Sequence, residues 1–240
     1  SDTTHLQRLG VALVSGAVDK HDSLADAVRD VDAIVHCAGL VKARNMEEFD
    51  RVHAGGTVAL ARAALERPGK PLARFVHVST AGVMGVGHPD RPHRESDEPK
   101  PVTMYGKSKL TAERALLELA PALPMTILRP PAIYGPRDRE ILAFFQMVRR
   151  TRMALRMGRS MQSVSMIYAT DCAAACVRAI SADVPSGSTY LLDDGNTYTY
   201  DDMAHAIAAG YGFGLLAAPS IPVPLVRAAA LASEMFGRAT

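Results

Sequence analysis

The stretch RFVHVS, residues 74–79, decides the fold. Phe75, Val76 and Val78 follow one another without the apolar–polar alternation of a half-exposed strand, so this is a strand buried on both faces. DAIVHCA at 32–38, ending in Gly39, reads the same way, as does MTILR at 125–129, stopped by Pro130-Pro131. Between these strands lie segments with helical periodicity, Asn45 to Arg67 and Met104 to Ala120, the latter with Leu110, Leu116, Leu117 and Leu119 on its apolar side. Alternating strands and helices with non-alternating strands predict an α/β chain with a parallel sheet covered on both faces. Ligands of such sheets bind beyond the carboxyl ends of the strands. Cys37-Ala38-Gly39, Ser79-Thr80 and the segment from Arg129 onward fall at those ends.

Outward from this centre, Gly10 to Val14 reads as a further strand, and His21 to Val31 as a helix capped by Asp22 or Ser23. Residues 80–103 form a long loop rich in Gly, Pro and charge. Beyond Pro136 the pattern loosens. Helices are expected over Asp138–Arg150, Thr170–Ser181, Tyr200–Ala209 and Leu225–Phe236, and short strands over Ser163–Tyr168 and Thr189–Leu192.

The 240 residues suit one domain, or one domain with a small lobe. A composition of 48% hydrophobic and 22% charged residues is that of an ordinary globular protein. The net charge of +2 is too small a field to hold nucleic acid or an anionic membrane. No apolar run is long enough to span a membrane; Leu215 to Phe236 is broken by Pro219, Pro222, Pro224 and Arg227. Three cysteines make no disulfide framework, which fits a reducing, cytoplasmic setting. Cys172 and Cys176 stand four apart with no further ligand nearby, the pattern of small core residues on a helix, and no metal site is assigned.

Residues 101–113, PVTMYGKSKLTAE, carry the chemistry. Tyr105 and Lys109 are four apart, so on a helix they share one face. A free phenol has a pKa of about 10, and a nearby cation favours the phenolate. The spacing therefore suits a proton-transfer pair in which Lys109 lowers the pKa of Tyr105.

Four segments, VDAIVHCAG at 31–39, RFVHVSTAGVMG at 74–85, YGKSK at 105–109 and LRPPAIYGPRD at 128–138, stand in an order that resembles the extended short-chain dehydrogenase/reductase family. This is the NAD-dependent epimerase/dehydratase and 3β-hydroxysteroid dehydrogenase-like group. The resemblance covers nearly the whole chain. It implies a Rossmann-like doubly wound parallel sheet with a small C-terminal substrate lobe. Residues 1–135 with 163–182 would form the nucleotide-binding core, and 136–162 with 183–240 the lobe. It implies an NAD(P)-dependent oxidoreductase or epimerase that moves hydride between the nicotinamide and a carbinol or carbonyl carbon of a sugar-nucleotide, steroid-like or small-ketone substrate. The alternative is a non-catalytic NAD(P)-binding regulator or scaffold of the same fold.

The implied roles are specific. Tyr105 resembles the family's acid/base. Lys109 resembles the lysine that tunes that tyrosine and bonds the nicotinamide ribose. Thr80, five residues before Gly85, resembles the hydroxyl that binds the reacting oxygen. Ala38, Gly39 and Ser79 would line the cofactor together with Tyr105 and Lys109. Pro131, Ala132 and Ile133 would contact the nicotinamide end, where the family often has Asn in place of Ala132. Met84, Tyr134 and Arg137 would face the substrate. The resemblance also implies a homodimer built on the helices at 45–67 and 104–120.

Departures from the family pattern are as informative. Gly16-Ala17 stands where the family has Gly-Asp, and His53 stands where it has Asn before Gly-Thr. The family's opening strand and G-x-x-G-x-x-G turn have no counterpart in these residues, so the sequence reads as part of a longer chain, and NAD cannot be told from NADP.

Overall fold

The computed structural model describes residues 3–20, 22–88, 90–154, 156–157, 163–217 and 219–221. The chain forms two compact units, Ser1–Pro130 with Asp171–Leu192, and Pro131–Thr170 with Asp193–Thr240.

In the first unit, after α1 (Thr4–Arg8) and α2 (Asp22–Val28), β1 (Ala33–His36), β2 (Arg74–Val78), β3 (Met125–Arg129) and β7 (Ser188–Leu191) form a four-stranded sheet in the order β1-β2-β3-β7. Every pairing is parallel. The register brings His36 opposite His77 and Val78 opposite Leu128, so the carboxyl ends of the strands line up.

Successive residues of a strand point to opposite faces, and the core divides accordingly. Phe75 and Met125 pack with Leu60, Ala64 and Leu116 of α4 (Gly56–Glu66) and α5 (Met104–Leu117) on one face. Val76 and Leu128 pack with Cys176 and Ala179 of α7 (Ala169–Ser181) on the other. The sheet is therefore doubly wound, as the residue pattern requires, and Cys176 is a core residue.

Local capping explains where the helices begin. Asn45 accepts a hydrogen bond from the Glu48 amide and starts α3 (Met46–Asp50). Thr103 accepts one from the Gly106 amide at 3.0 Å and starts α5 just before Tyr105. The expected helix 45–67 is interrupted: Arg51–Gly55 is a turn of π-helix between α3 and α4. One extra residue per turn rotates His53 into the interior, where it is 1% exposed.

The expected strand at Gly10–Val14 is not formed; residues 11–17 carry no regular structure. A strand needs a neighbour for its amides and carbonyls, and among the described residues none flanks this segment. Val11, Leu13 and Val14 are exposed.

The second unit contains β4 (Ala132–Tyr134), α6 (Glu140–Thr151), β5 (Arg156–Met157), β6 (Ser163–Tyr168), β8 (Thr197–Thr199), α8 (Tyr200–Gly210) and β9 (Ser220–Ile221). A mixed sheet runs β4-β6-β8, parallel then antiparallel. α8 opens with a reciprocal capping box between Thr199 and Asp202. Val148, Ala154, Ala204 and Ile207 form its core. Two segments sit differently from the expected domain limits. Ser163–Tyr168 pairs with β4 rather than with the main sheet, and Ser188–Leu191 completes the main sheet beside β3. Both are short strands whose residues look alike, so pairing partners decided their place. The helix expected at Leu225–Phe236 lies outside the described residues. Among those residues no helix is long and apolar enough to cross a membrane.

Candidate active site

Tyr105 and Lys109 project from the first turns of α5. The fold presses that end of the helix against the carboxyl end of β2. A Cβ on Gly106 would stand 2.7 Å from the Gly82 carbonyl oxygen. Only glycine permits this approach, and it lays the Tyr105 turn on the short 3-10 turn Ala81–Val83 that follows Thr80. Thr80 caps that turn, its Oγ1 accepting from the Gly82 amide at 3.1 Å. Gly85 ends the loop with φ +89 and no room for a side chain beside the Lys100 carbonyl.

Lys109 is 4% exposed, and its Nζ donates to the Val78 carbonyl at 2.8 Å. Burial lowers its pKa to about 8 against the opposing pull of Glu113, so near neutrality it remains mostly a cation. Tyr105 differs from expectation. Its pKa is raised, because burial disfavours the phenolate. The lowering expected from Lys109 is not seen; the Nζ is engaged by the backbone of β2. At neutral pH Tyr105 is therefore a phenol, a proton donor.

Sequence reasoning gave His53 no role in the site. Its Nε2 accepts from the Leu40 amide at 2.9 Å, which leaves the neutral ring's proton on Nδ1. Nδ1 then donates to Ser108 Oγ at 2.7 Å, and Ser108 Oγ donates to the Tyr105 carbonyl at 2.9 Å. The chain of bonds ties the loop after β1 to the helix that bears Tyr105. The ring also packs edge-on against the Tyr105 ring at 5.5 Å, with Phe49 at 6.2 Å from the same ring. Gly39 is small for the same reason: a Cβ there would lie 3.0 Å from His53 Nε2.

Two further side chains were not assigned from sequence. Glu113 and Arg129 form a buried bidentate pair, Nε to Oε1 at 3.1 Å and Nη2 to Oε2 at 2.6 Å. The signal was present, since Tyr105, Lys109 and Glu113 recur every four residues on one helical face.

The remaining expected residues are placed as follows. Ala38 and Gly39 are exposed beyond β1. Ser79 is 4% exposed and its Oγ has no hydrogen-bond partner among the described residues. Met84, expected to face substrate, is instead 1% exposed, packed with Val83, Leu110 and Leu191, and its sulfur accepts from Arg129 Nη1 at 3.1 Å. A long apolar side chain after a turn gives no sign of which way it folds. Pro131, Ala132, Ile133, Tyr134 and Arg137 belong to the second unit. Ala132 to Tyr134 form β4, and Arg137 follows with φ 72, a left-handed conformation uncommon outside glycine.

Burial also holds three histidines of the first unit, His36, His53 and His77, neutral. The pKa values of His36 and His53 are lowered to about 4, and His77 lies well below its usual value; burial is the main cause, with Lys109 adding to it. A histidine with a lowered folded pKa binds its proton more readily when unfolded, so stability falls as pH drops from about 6.5 to about 4. Urea midpoints are expected to decline across that window, and less so in His53→Asn. A flat midpoint between those pH values refutes this.

The profile of the NAD dependent epimerase/dehydratase family matches residues 1–192. A ceramide reductase from Caulobacter vibrioides is 34% identical over 194 residues, 80% of this chain; the chain spans only 54% of that relative's length. RMD from Pseudomonas aeruginosa, complexed with NADPH, superposes with a TM-score of 0.76 at 22% identity, covering 92% of this chain and 83% of that one. UDP-glucuronic acid 4-epimerase from Bacillus cereus in complex with NAD gives 0.79 at 21% identity, covering 92% and 73%. The doubly wound sheet, the strand-end turn of Thr80 and the helix of Tyr105 and Lys109 thus occur in a chain that belongs to the NAD dependent epimerase/dehydratase family.

Proposed function

We propose that this chain carries the catalytic groups of an NAD(P)-dependent enzyme that transfers hydride between the nicotinamide and a carbinol or carbonyl carbon of a small molecule. The observation that carries the reading is the close packing of the Tyr105 turn on the Thr80 turn, with a buried Lys109 beneath. The residues fit a dinucleotide. Small exposed residues, Ala38 and Gly39, end β1, and Ser79 offers a buried hydroxyl without a partner among the described residues. Ala38, Gly39, Ser79, Tyr105 and Lys109 would hold it. The nicotinamide, when bound, supplies the hydride or accepts it.

The protein's own part is proton handling and charge stabilisation. Tyr105, a phenol at neutrality, donates its proton to the oxygen of a carbonyl undergoing reduction. Lys109, on the same helix as Tyr105 and held by the Val78 carbonyl, would supply the cation of the site as negative charge develops. Thr80 Oγ1 accepts from the Gly82 amide and so keeps its own proton available for the same oxygen. The polarity of this set favours reduction near neutral pH, in keeping with the reductase among the relatives.

A positioned oxyanion donor is worth roughly 3 kcal/mol. Thr80→Ala is therefore expected to lower kcat about 10²-fold, and Thr80→Ser to restore most of it. Reduction is followed as loss of NADPH or NADH absorbance against aldehydes, ketones and 4-keto sugar nucleotides. Tight dinucleotide binding with no carbonyl reduced across that set would point to the regulatory alternative and overturn the reading.

A further inference from the structure

We propose that the second unit binds a hydrocarbon chain, alkyl or acyl, in a cavity of its own.

The cavity has a volume of about 470 Å³ and lies wholly within the second unit. Ile141, Phe144, Phe145, Met166, Met203 and Ile207 supply its apolar wall. Pockets of this size take a ligand of drug-like dimensions. Met203, Ala206, Ile207 and Gly210 line it from one face of α8, at the three- and four-residue spacing of a helix. Ala206 and Gly210 are small where a larger residue would close the space.

The polar groups at its edge are directed elsewhere. Tyr198 donates its hydroxyl proton to Asp194 at 2.6 Å. Asp202 accepts from the Thr199 amide at 2.8 Å and hydroxyl at 2.6 Å. The Tyr211 ring carries the Arg149 guanidinium at 5.3 Å, and Tyr134 packs on Tyr168.

Among the described lining residues the chemistry favours a hydrocarbon chain over the diphosphate of a sugar nucleotide. Among the described lining residues there is no Lys, Arg or His. Two helices begin beside the lining residues: α8 is closed by its own capping box, and in α6 the Ile141 amide donates to Asp138 Oδ2 at 2.9 Å. The Asp202 carboxylate on the wall would repel an anion. A hydrocarbon chain meets none of these costs, and Phe144, Phe145 and Met166 give it dispersion contacts.

The test is calorimetric titration of the 240-residue chain with hexan-2-one, octan-2-one, decan-2-one and UDP-glucose. Burial of a methylene is worth about a fourfold gain in affinity, so the ketones should bind with Kd falling two- to fourfold per added methylene. Ala206→Phe should weaken decan-2-one at least tenfold and flatten the series. If that variant loses its native circular dichroism, Met203→Ala takes its place and should weaken decan-2-one several-fold. A flat chain-length series overturns the proposal, as does UDP-glucose binding that Ala206→Phe abolishes. Because the readout is binding, a steep series without any turnover keeps this proposal and sinks the hydride-transfer reading; turnover with a flat series does the reverse.

Discussion

Tyr105→Phe is expected to lower kcat for the proposed carbonyl reduction about 10²- to 10⁴-fold, while dinucleotide affinity stays within a few-fold. The substitution removes one oxygen and keeps the ring. The ring is held by edge contacts with His53 at 5.5 Å and Phe49 at 6.2 Å, neither of which uses the hydroxyl. The hydrogen-bonded link from His53 through Ser108 reaches the Tyr105 carbonyl, which the variant also retains. Fold and cofactor site should therefore survive, and the loss belongs to the proton. The wild-type pH dependence follows from the same groups. Lys109 has a pKa of about 8 and must be charged to stabilise an alkoxide, so kcat should fall as pH rises through about 8. The raised pKa of Tyr105 keeps the phenol protonated across that range. Stopped-flow absorbance of wild type and variant measures both effects. Turnover by Tyr105→Phe within tenfold of wild type would remove Tyr105 from the mechanism.

The difference between the expected and observed state of Tyr105 shows what a sequence can carry. Spacing of four put Tyr105 and Lys109 on one helical face, and consecutive apolar residues put Phe75 and Val76 in a buried strand. Both are local patterns. The direction of the Tyr105 pKa is set by how much water reaches the ring and by where the Lys109 ammonium goes, and that was decided by the Val78 carbonyl, 31 residues away. His53 is tied to Leu40 and to Ser108, 13 and 55 residues distant. No local pattern encodes such a pairing, although the π-turn that aims His53 inward coincides with the paired Gly55-Gly56. Gly10 to Val14 failed for the opposite reason: its composition suits a strand, but strand formation depends on a neighbour. Met84, expected to face the substrate, is buried instead with the Arg129 guanidinium against its sulfur, a partner 45 residues away.

Breaking the Glu113–Arg129 pair has the largest expected effect on stability. Both side chains are buried, Glu113 at 1% and Arg129 at 6% exposure. Desolvating two ions is costly, and their bidentate contact only offsets that cost. Removing one partner leaves the other charged in the core, so Glu113→Gln or Arg129→Met should each destabilise by about 3–5 kcal/mol. That is a large share of the 5–15 kcal/mol typical of a domain. The double replacement Glu113→Gln with Arg129→Met removes both charges, and the new Met would lie beside Met84. It should be far less damaging than the sum of the single changes. Urea unfolding of the four proteins in a double-mutant cycle gives the coupling; additive losses would mean that the pair is not coupled. The same cycle reports on the site. Glu113 raises the pKa of Lys109 against the effect of burial, so replacing it with neutral Gln must lower that pKa further below its ordinary value. The alkaline fall in kcat should then move to a pH below that of wild type, in a variant whose Tyr105, Lys109 and Thr80 are untouched. A limb that stays in place in folded Glu113→Gln would show that Lys109 does not set it. A limb that moves down ties the ion pair between α5 and β3 to the acidity of the lysine beneath the reacting oxygen.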